Sequence, residues 1–373
     1  MAPTVLHVVS ARPNFVKVAP IHRAIARRGR LRQLVVHTGQ HYDADMSDVF
    51  FRELGLPAPD VRLRVGTGSH AEQTGQVVLG LAETLRTHRP SLVSVVGDTN
   101  GALSAALSAA KSGIPVAHVE AGLRSYDRAM PEELNRVLID HLAEVLLIPS
   151  EDAFGNLRRE GIGEDRVHHV GNVMIDTLLR FAARAKRLPV PAGLVPGGYA
   201  LCTLHRPSNV DNEERLLALL GAIIDLSARI PVVFPSHPRT RAMLDRPRLK
   251  AARERAPRLL LVPPAGYLEF LALTMRARLV LTDSGGLQEE TTALGVPCMT
   301  LRENTERPIT VEQGTNTLVG TDPAAIRAAA FAVLDGGGKP GRVPERWDGR
   351  TADRIAEVYE RVLAVPESGV VRL

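Results

Sequence analysis

The sequence contains only two cysteines, Cys202 and Cys298, and aromatic residues make up 4% of its 373 positions. The two cysteines lie far apart in apolar segments and lack the spacing of a zinc site or a redox pair, so we interpret them as buried free thiols. The amino terminus shows no charged n-region or cleavage site, and no apolar run approaches the length needed to span a bilayer. We therefore expect a cytoplasmic protein without a membrane partner.

Signals for nucleic acid, metal and redox cofactors are also lacking. The formal net charge is +5, but arginines are scattered among acidic residues, and the densest basic run, at 23–32, has no aromatic residues interleaved with it. A solvated helix face explains that run better than nucleic-acid binding does. The sequence has no G-x-G-x-x-G fingerprint, no P-loop and no metal-ligand spacing. We expect no nucleic-acid partner, no cofactor and no metal.

What the sequence does contain is a long alternation of short β-branched apolar runs with helix-period segments. This alternation is typical of parallel sheets covered by helices on both faces. It is interrupted by the Pro/Gly-rich segment 187–198 and then begins again. The fold class is predicted to be α/β, with two Rossmann-like doubly wound domains over 1–170 and 171–354, followed by an amphipathic helix within 355–373.

Two single carboxylates, Asp98 and Glu120, each stand directly after an apolar strand-like run, with one Ala-rich crossover helix between the runs. A right-handed crossover normally places its two strands in one sheet, often as neighbours about 5 Å apart. Two close carboxylates suit proton transfer. The alternative is structural: Asp98 caps the helix that begins at Thr99 or Asn100, and Glu120 pairs with Arg124. Spacing alone does not decide between them.

Other charged residues are predicted near the same edge. Glu132 follows Pro131, a good first residue of a helix, although acidic residues in a first helical turn are common for dipole reasons alone. Arg12 and Lys17 stand at the first strand-to-helix junction, where two cations and a helix N-terminus favour an anion site. A surface ion pair is the competing interpretation of these two cations.

In the second half, the segment 282–290, TDSGGLQEE, carries the strongest local signal. A strand there runs into Ser284, Gly285 and Gly286 and directly into a helix, a geometry that suits a diphosphate. Glu290, about one turn into the helix, is placed to accept ribose hydroxyls. Polar residues also end two other predicted strands, where a structural role competes with a functional one; they are His205, Arg206 and His237.

These motifs together resemble one family. The segments SARPNFVKVAP, HVEAGLRS, MPEELNR, TLHRPSNVDN, TDSGGLQEE, TERP and EQGTN occur in this order across nearly the whole chain. They are similar to those of the non-hydrolysing UDP-N-acetylglucosamine 2-epimerases. The resemblance implies a GT-B-like fold with the active site in an interdomain cleft, a C-terminal helix that returns to the first domain, and a homodimer.

The resemblance also implies an activity and residue roles. The activity is the interconversion of UDP-GlcNAc and UDP-ManNAc by elimination of UDP to 2-acetamidoglucal and re-addition, in polysaccharide biosynthesis, with no cofactor or metal. Its catalytic positions match Asp98, Glu120, Glu132 and His205. Its substrate-binding positions match Arg12, Lys17, Phe270, Ser284, Gly285, Gly286, Glu290 and Arg307. A second nucleotide-sugar site found in some members would fall at Gln40, Arg206 and His237.

Three other activities are alternatives to this interpretation. The first fits the motifs equally well, and the other two fit them less well. A 2-epimerase acting on a modified UDP-sugar, of the diacetamido uronic acid type, would share the nucleotide-binding motifs. A GT-B glycosyltransferase would share the fold but gives no reason for the acidic residues of the first domain. A hydrolysing epimerase would differ around HVEAGLRS. The sequence does not identify the base for each face of the sugar, allosteric activation or the downstream pathway.

Overall fold

The alternation of strands and helices in the sequence is present in the computed structural model, which describes residues 2–39, 53–63, 65, 68–191 and 193–364, with Arg12 described in its backbone only. The chain divides into two units, the first comprising Met1–Thr177 and Glu345–Leu373, the second Leu178–Pro344. The domain boundaries expected from the sequence, after residues 170 and 354, stay a prediction. Each unit contains one parallel sheet.

Helices cover the sheets in regular alternation with the strands. In chain order, the α-helices are α1 Arg12–Arg28, α2 His70–His88, α3 Asn100–Lys111, α4 Pro131–Leu142, α5 Asp152–Arg159, α6 Val173–Ala185, α7 Pro207–Val210, α8 Glu213–Ser227, α9 Pro238–Leu244, α10 Pro247–Glu254, α11 Tyr267–Arg276, α12 Gly285–Leu294, α13 Pro308–Glu312, α14 Pro323–Leu334 and α15 Thr351–Ala364. The strands are β1 Thr4–Val9, β2 Arg32–His37, β3 Val61–Arg62, β4 Leu92–Val96, β5 Val116–Val119, β6 Val145–Ile148, β7 Val167–His169, β8 Ala200–Thr203, β9 Val232–Pro235, β10 Leu259–Val262, β11 Leu279–Thr282, β12 Cys298–Thr300 and β13 Asn316–Leu318.

The first unit has a seven-stranded sheet in the order β3-β2-β1-β4-β5-β6-β7, and every pair is parallel. The strand order reverses between β1 and β4, which is the topological switch point where ligands bind in open α/β sheets. The two strands predicted around Asp98 and Glu120 are β4 and β5, and they are neighbours. The edge strands β3 and β7 were not predicted, because β3 has only two residues and two of the three residues of β7 are histidines.

Small residues set the packing on one face of this sheet. Helix α3 buries Ala102, Ala105, Ala106 and Ala109 and contacts both α2 and α4. Alanine lets the helix backbone approach its neighbours closely while it retains high helix propensity. The close approach brings the start of α4 near the carboxyl ends of β4 and β5.

The second unit repeats the design with six strands in the order β10-β9-β8-β11-β12-β13, again all parallel. Its core consists of apolar side chains of the sheet and of α8, including the fully buried Leu216, Leu219 and Ile223. The switch point lies between β8 and β11, whose ends carry His205 and Asp283. The prediction of an α/β protein with two doubly wound sheets is confirmed.

Candidate functional site

The two carboxylates that prompted the prediction lie at adjacent strand ends in the first unit. Val96, the last residue of β4, is in register with Val119, the last residue of β5, and the Gly97 amide donates to the Val119 carbonyl at 3.0 Å. Asp98 and Glu120 therefore leave the sheet side by side at its carboxyl edge. This arrangement requires Gly97, which has a positive φ of 67° and lies against the Glu120 carboxylate.

Glu120 is paired with Lys17 rather than with Arg124. The Lys17 ammonium donates to Oε2 of Glu120, and the two residues are only 6% and 7% exposed. Glu120 has a φ of +74°, a conformation that side-chain-bearing residues rarely adopt and that concentrates at functional sites. Arg124 instead binds the carboxylates of Asp140 and Glu160. The alternative pairing of Glu120 with Arg124 is therefore wrong.

Asp98 does not cap the helix that follows it. Thr99 occupies the N-cap of α3 and accepts from the Ala102 amide at 3.2 Å. The Asp98 carboxylate accepts from the Arg136 guanidinium at 2.5 Å, and its carbonyl accepts from the Asn135 amide at 2.9 Å. Because Arg136 is 2% exposed, a buried cation fixes Asp98 from the side of α4. The capping alternative is therefore wrong.

The start of α4 carries two carboxylates with different surroundings. Glu133 is 3% exposed, accepts from both Ser125 and Tyr126, and pairs with Arg136. It therefore holds the loop that follows HVEAGLR. Glu132, the predicted catalytic position, is half-buried at the second residue of α4, directly after Pro131 as expected from the sequence.

A fully buried pair supports this edge from within. His118 of β5 contacts Asp140 through Nδ1 at 2.6 Å and the Gly97 carbonyl through Nε2 at 3.0 Å. Asp140 also accepts from the Gly122 amide at 3.0 Å. Burial opposes ionisation of Asp140, but the charges and hydrogen bonds of His118 and then Arg124 outweigh it and lower its pKa. These contacts fix the two turns that carry Asp98 and Glu120.

The first strand-to-helix junction lies at the same edge. Arg12 is the first residue of α1, and only its backbone is described. The Asn14 side chain accepts from the amides of Ser10 and Ala11 and donates to the Val96 carbonyl at 2.9 Å, which ties this junction to β4. Gln40 lies outside the described residues.

In the second unit, His205 and Asp283 follow the neighbouring strands β8 and β11. Thr203 is in register with Thr282, and their hydroxyls are 2.7 Å apart. Nδ1 of His205 lies 3.0 Å from Oδ1 of Asp283, which is fully buried. Burial alone would raise the pKa of Asp283, but hydrogen bonds from the His205 ring, then its charge and the amides of Arg206 and His205, lower it. Asp283 is therefore ionised at neutral pH.

The turn after Asp283 leads directly into α12, as expected from the sequence, and it has no side-chain cap. Ser284 is the N-cap residue and makes no side-chain cap bond, so the first amides of α12 are directed at the turn. Gly285 approaches two side chains closely: a Cβ there would lie 2.5 Å from Oε1 of Glu306 and 2.7 Å from Nη1 of Arg307. Gly286 follows it in the first turn. An anion fits such a helix terminus beside a guanidinium.

Buried charges surround this turn. Glu306 is 2% exposed and accepts from Arg302 at 2.8 Å and from Arg307 at 2.7 Å. Arg307 also pairs with Glu289 at 2.9 Å, and Arg206 lies 3.6 Å from Glu306. The structure therefore brings two predicted site residues, Arg206 and Arg307, to one carboxylate.

The remaining predicted residues of the second unit lie around the same sheet edge. Glu290 is 7% exposed in the second turn of α12. Phe270 is a half-buried residue of α11 that packs against the apolar cluster of this helix. His237 is exposed and caps α9, where it accepts from the Arg239 amide at 3.4 Å. Since β8 and β9 are neighbours, Arg206 and His237 follow adjacent strands.

Comparison with known proteins identifies the family. The sequence model of the UDP-N-acetylglucosamine 2-epimerase family matches residues 23–360. The UDP-N-acetylglucosamine 2-epimerase of Methanocaldococcus jannaschii is 43% identical over 335 residues, which are 88% of this chain and 91% of that protein. This chain belongs to the UDP-N-acetylglucosamine 2-epimerase family. The resemblance read from the motifs is confirmed, and with it the prediction of an enzyme.

A solved structure of the same M. jannaschii enzyme and one further relative add to this comparison. A crystal structure of the M. jannaschii UDP-GlcNAc 2-epimerase in complex with UDP-GlcNAc and UDP matches with a TM-score of 0.88 at 40% identity, covering 96% of this chain and 99% of that one. The UDP-2,3-diacetamido-2,3-dideoxy-D-glucuronate 2-epimerase of Pseudomonas aeruginosa is 42% identical over 334 residues, which are 88% of this chain and 92% of that protein. Family members of nearly equal similarity to this chain are thus named for different substrates.

Sequence reasoning missed the partners of the predicted site residues in this epimerase. Arg136 and Glu133 are three residues apart on α4, a spacing that brings side chains together, but nothing in the sequence connects Arg136 to Asp98. Asp283 stands just after strand β11, as Asp98 and Glu120 stand just after β4 and β5. A single carboxylate after an apolar run could therefore have identified Asp283 from the sequence as well. Nothing in the sequence around Glu306 and His118 indicated that these residues would support the predicted site.

Two negative findings concern the described part of the chain. Within those residues, no group of three or more His, Cys, Asp or Glu side chains is placed to hold a metal ion. No helix among them is long and apolar enough to cross a membrane. Both cysteines are free and buried, and burial raises the pKa of Cys298 to about 12.

Proposed function

We propose that this epimerase interconverts UDP-GlcNAc and UDP-ManNAc by elimination and re-addition of UDP. The observation that carries the proposal is the side-by-side placement of Asp98 and Glu120, each beside a buried cation at the carboxyl edge of one sheet. Inversion at C2 of a sugar requires a proton to leave one face and to return to the other. Two separately held carboxylates supply a proton acceptor and a proton donor.

The proposed reaction conserves atoms and charge. One carboxylate takes the proton from C2, the C1–O bond to the diphosphate breaks, and its electron pair leaves with UDP while C1=C2 forms in 2-acetamidoglucal. UDP then re-adds to C1, and C2 receives a proton on the opposite face. We assign the proton transfers to Asp98, Glu120 and Glu132 as a group.

The second unit supplies what a departing diphosphate needs. We assign the diphosphate to the turn of Ser284, Gly285 and Gly286 at the N-terminus of α12, where free amides carry partial positive charge. His205 is assigned to assist the departing phosphate, and Arg12 and Lys17 are assigned as substrate-binding cations. Glu290 holds the ribose, Phe270 the uracil, and Arg307 completes the nucleotide site.

A second candidate substrate is a modified UDP-sugar of the diacetamido uronic acid type. The P. aeruginosa relative named for such a substrate is nearly as similar as the M. jannaschii enzyme, at 42% against 43% identity. The experiment that separates them is a turnover assay with each nucleotide sugar and product analysis by chromatography. We expect UDP-ManNAc from UDP-GlcNAc. Free ManNAc with stoichiometric UDP would instead place the chain among hydrolysing enzymes, and turnover of the uronate alone would select the second candidate.

Four further properties belong to the same proposal. We propose a homodimer, a cytoplasmic location that fits two free cysteines, and a role in polysaccharide biosynthesis. A second UDP-sugar is proposed to bind at Gln40, Arg206 and His237, two of which follow the adjacent strands β8 and β9. Light scattering tests whether the protein is a homodimer. A sigmoidal dependence of rate on UDP-GlcNAc that becomes hyperbolic in His237→Ala would support the second site.

A further inference from the structure

The second unit contains a carboxylate whose contacts all converge on the loop that carries His205. Asp283 is fully buried, and its oxygens accept from the backbone amides of His205 at 3.1 Å and Arg206 at 3.0 Å. The Asn209 side chain donates to the same carboxylate at 3.2 Å, and Nδ1 of His205 lies 3.0 Å from it. The position therefore suits a group that only accepts hydrogen bonds.

This geometry decides which nitrogen of the imidazole carries a proton. An ionised carboxylate has no proton to give, so the ring must donate through Nδ1–H to gain from the contact. Nε2 then lies at the far side of the ring from Asp283. In the neutral ring, Nε2 has only a lone pair, which repels an anionic phosphate oxygen. In the doubly protonated ring, Nε2–H donates to that oxygen, and the charge of Asp283 stabilises the imidazolium.

We propose that Asp283 is a positioning residue that holds His205 with Nδ1 protonated and stabilises its imidazolium form when a diphosphate occupies the adjacent turn. This inference rests on the proposed function, because the diphosphate is the leaving group of that reaction. Asp283 directly precedes Ser284 and Gly285, so the residue that orients the ring also begins the turn. It touches no substrate in this account and acts through His205.

The alternative is that Asp283 only holds the backbone of residues 205–209. Two substitutions separate these roles. Asp283→Asn removes the negative charge and offers an amide that donates to Nδ1 when its oxygen keeps the backbone contacts. Asn209→Ala, the matched control, removes one hydrogen bond to Asp283 and one to the Leu301 carbonyl, and leaves the contact between Asp283 and the ring intact.

The activity readout is the pH dependence of kcat with UDP-GlcNAc. For Asp283→Asn we expect kcat to fall by at least about tenfold with KM changed less, and the alkaline limb of the profile to move to lower pH, because the imidazolium has lost its counter-charge. For Asn209→Ala we expect a lower unfolding midpoint and an unchanged pH profile. Equal losses in both variants with unshifted profiles would overturn the proposal.

A second readout does not depend on turnover. In protein labelled with ¹⁵N-histidine, the signals of His205 are identified by their absence from His205→Gln. We expect an Nδ1–H ring in the free wild-type protein, both nitrogens protonated after UDP is added, and an Nε2–H neutral ring in Asp283→Asn. An Nε2–H ring in the free wild type would contradict the proposal. Failure of the wild type to turn over UDP-GlcNAc would remove the proposed function, whereas the tautomer of the free ring would still support or overturn the ring assignment.

Discussion

The Lys17 ammonium and the Glu120 carboxylate form a buried ion pair between the first turns of α1 and the end of β5. Neither group has access to much water, so water screens the attraction between the two charges only weakly. The pair joins a substrate-binding cation and a catalytic carboxylate of the proposed mechanism. If the proposed mechanism holds, loss of this pair should lower both stability and turnover.

We predict that Lys17→Met lowers the free energy of unfolding by about 3 to 5 kcal/mol, because it removes the ammonium group that pairs with the buried Glu120 carboxylate. Urea denaturation followed by circular dichroism measures this. The double variant Lys17→Met with Glu120→Gln should regain part of the loss, since the buried side chain at position 120 is then uncharged. If the single variant unfolds like the wild type, the pair is not the compensated buried contact described above.

Gly97 is predicted to be necessary for the geometry of Glu120 as well as for its own turn. A Cβ at this position would lie 3.3 Å from Oε2 of Glu120 and 3.9 Å from the Lys17 nitrogen. Its φ of 67° adds about 1 kcal/mol of backbone strain for any other residue. Gly113 has the same φ of 67° but nothing within 4 Å of such a Cβ, so Gly113→Ala is the matched control.

Both alanine variants should lose similar stability, about 1 to 2 kcal/mol, but only Gly97→Ala should lose kcat, by about tenfold or more. The comparison requires denaturation curves and initial rates on the same samples. Equal kcat in the two variants would show that the contact between Gly97 and Glu120 does not matter for the reaction.

A third prediction concerns the turn proposed to bind the diphosphate. In Gly285→Ala, the new Cβ meets Glu306 and Arg307 at distances that real Cβ atoms do not show, so these buried side chains must move. We expect UDP to bind at least about tenfold more weakly, measured by isothermal titration calorimetry, because the amides of α12 and Arg307 no longer converge. Gly221→Ala in α8 meets nothing within 4 Å and should bind UDP normally. Normal UDP affinity in Gly285→Ala would exclude this turn as the diphosphate site.

Asp176 gives a prediction about pH. It accepts from the amides of Thr351 and Ala352 at the start of α15, but burial dominates and raises its pKa to about 6 from 3.8. Between these two values the native state binds a proton that the unfolded state has lost. This group therefore contributes stability that is fully present below pH 3.8 and is lost as the pH rises through 6.

A shift of this size corresponds to about 3 kcal/mol. In the wild type, Asp176 should lower the free energy of unfolding by about this amount as the pH rises from 4 to 6. In Asp176→Asn this contribution should be absent, so the free energy of unfolding should fall less over the same range. Thermal or urea unfolding at several pH values in this window measures the difference. Parallel stability profiles for the two proteins would show that Asp176 does not titrate as its burial suggests.

Much of the fold could be predicted because the strands of both sheets are continuous apolar runs. Parallel strands buried on both faces read as continuous apolar runs, and the runs before Asp98 and Glu120 are the strands β4 and β5. The edge strands β3 and β7 escaped because β3 has only two residues and β7 reads Val-His-His, so neither is an apolar run. Residue positions at strand ends were predictable for the same reason: a charged residue such as Asp98 stands out after an apolar run.

Contacts between distant segments could not be predicted. The partner of Glu120 is 103 residues earlier in the chain, and that of His205 is 78 residues later. The sequence offered Arg124, four residues later, as one possible partner of Glu120, but the Glu120 carboxylate meets Lys17 and Arg124 meets Asp140. Tertiary structure selects among several nearby charges, and sequence distance does not rank them.

The central claim, that C2 loses and regains a proton while UDP departs, is tested most directly by incubating the protein with UDP-GlcNAc in heavy water and following the sugar by proton NMR. We predict UDP-ManNAc that carries deuterium at C2, and, in Asp98→Asn, retained UDP binding with most of the turnover lost. Epimerised product that keeps its original hydrogen at C2 would contradict the account.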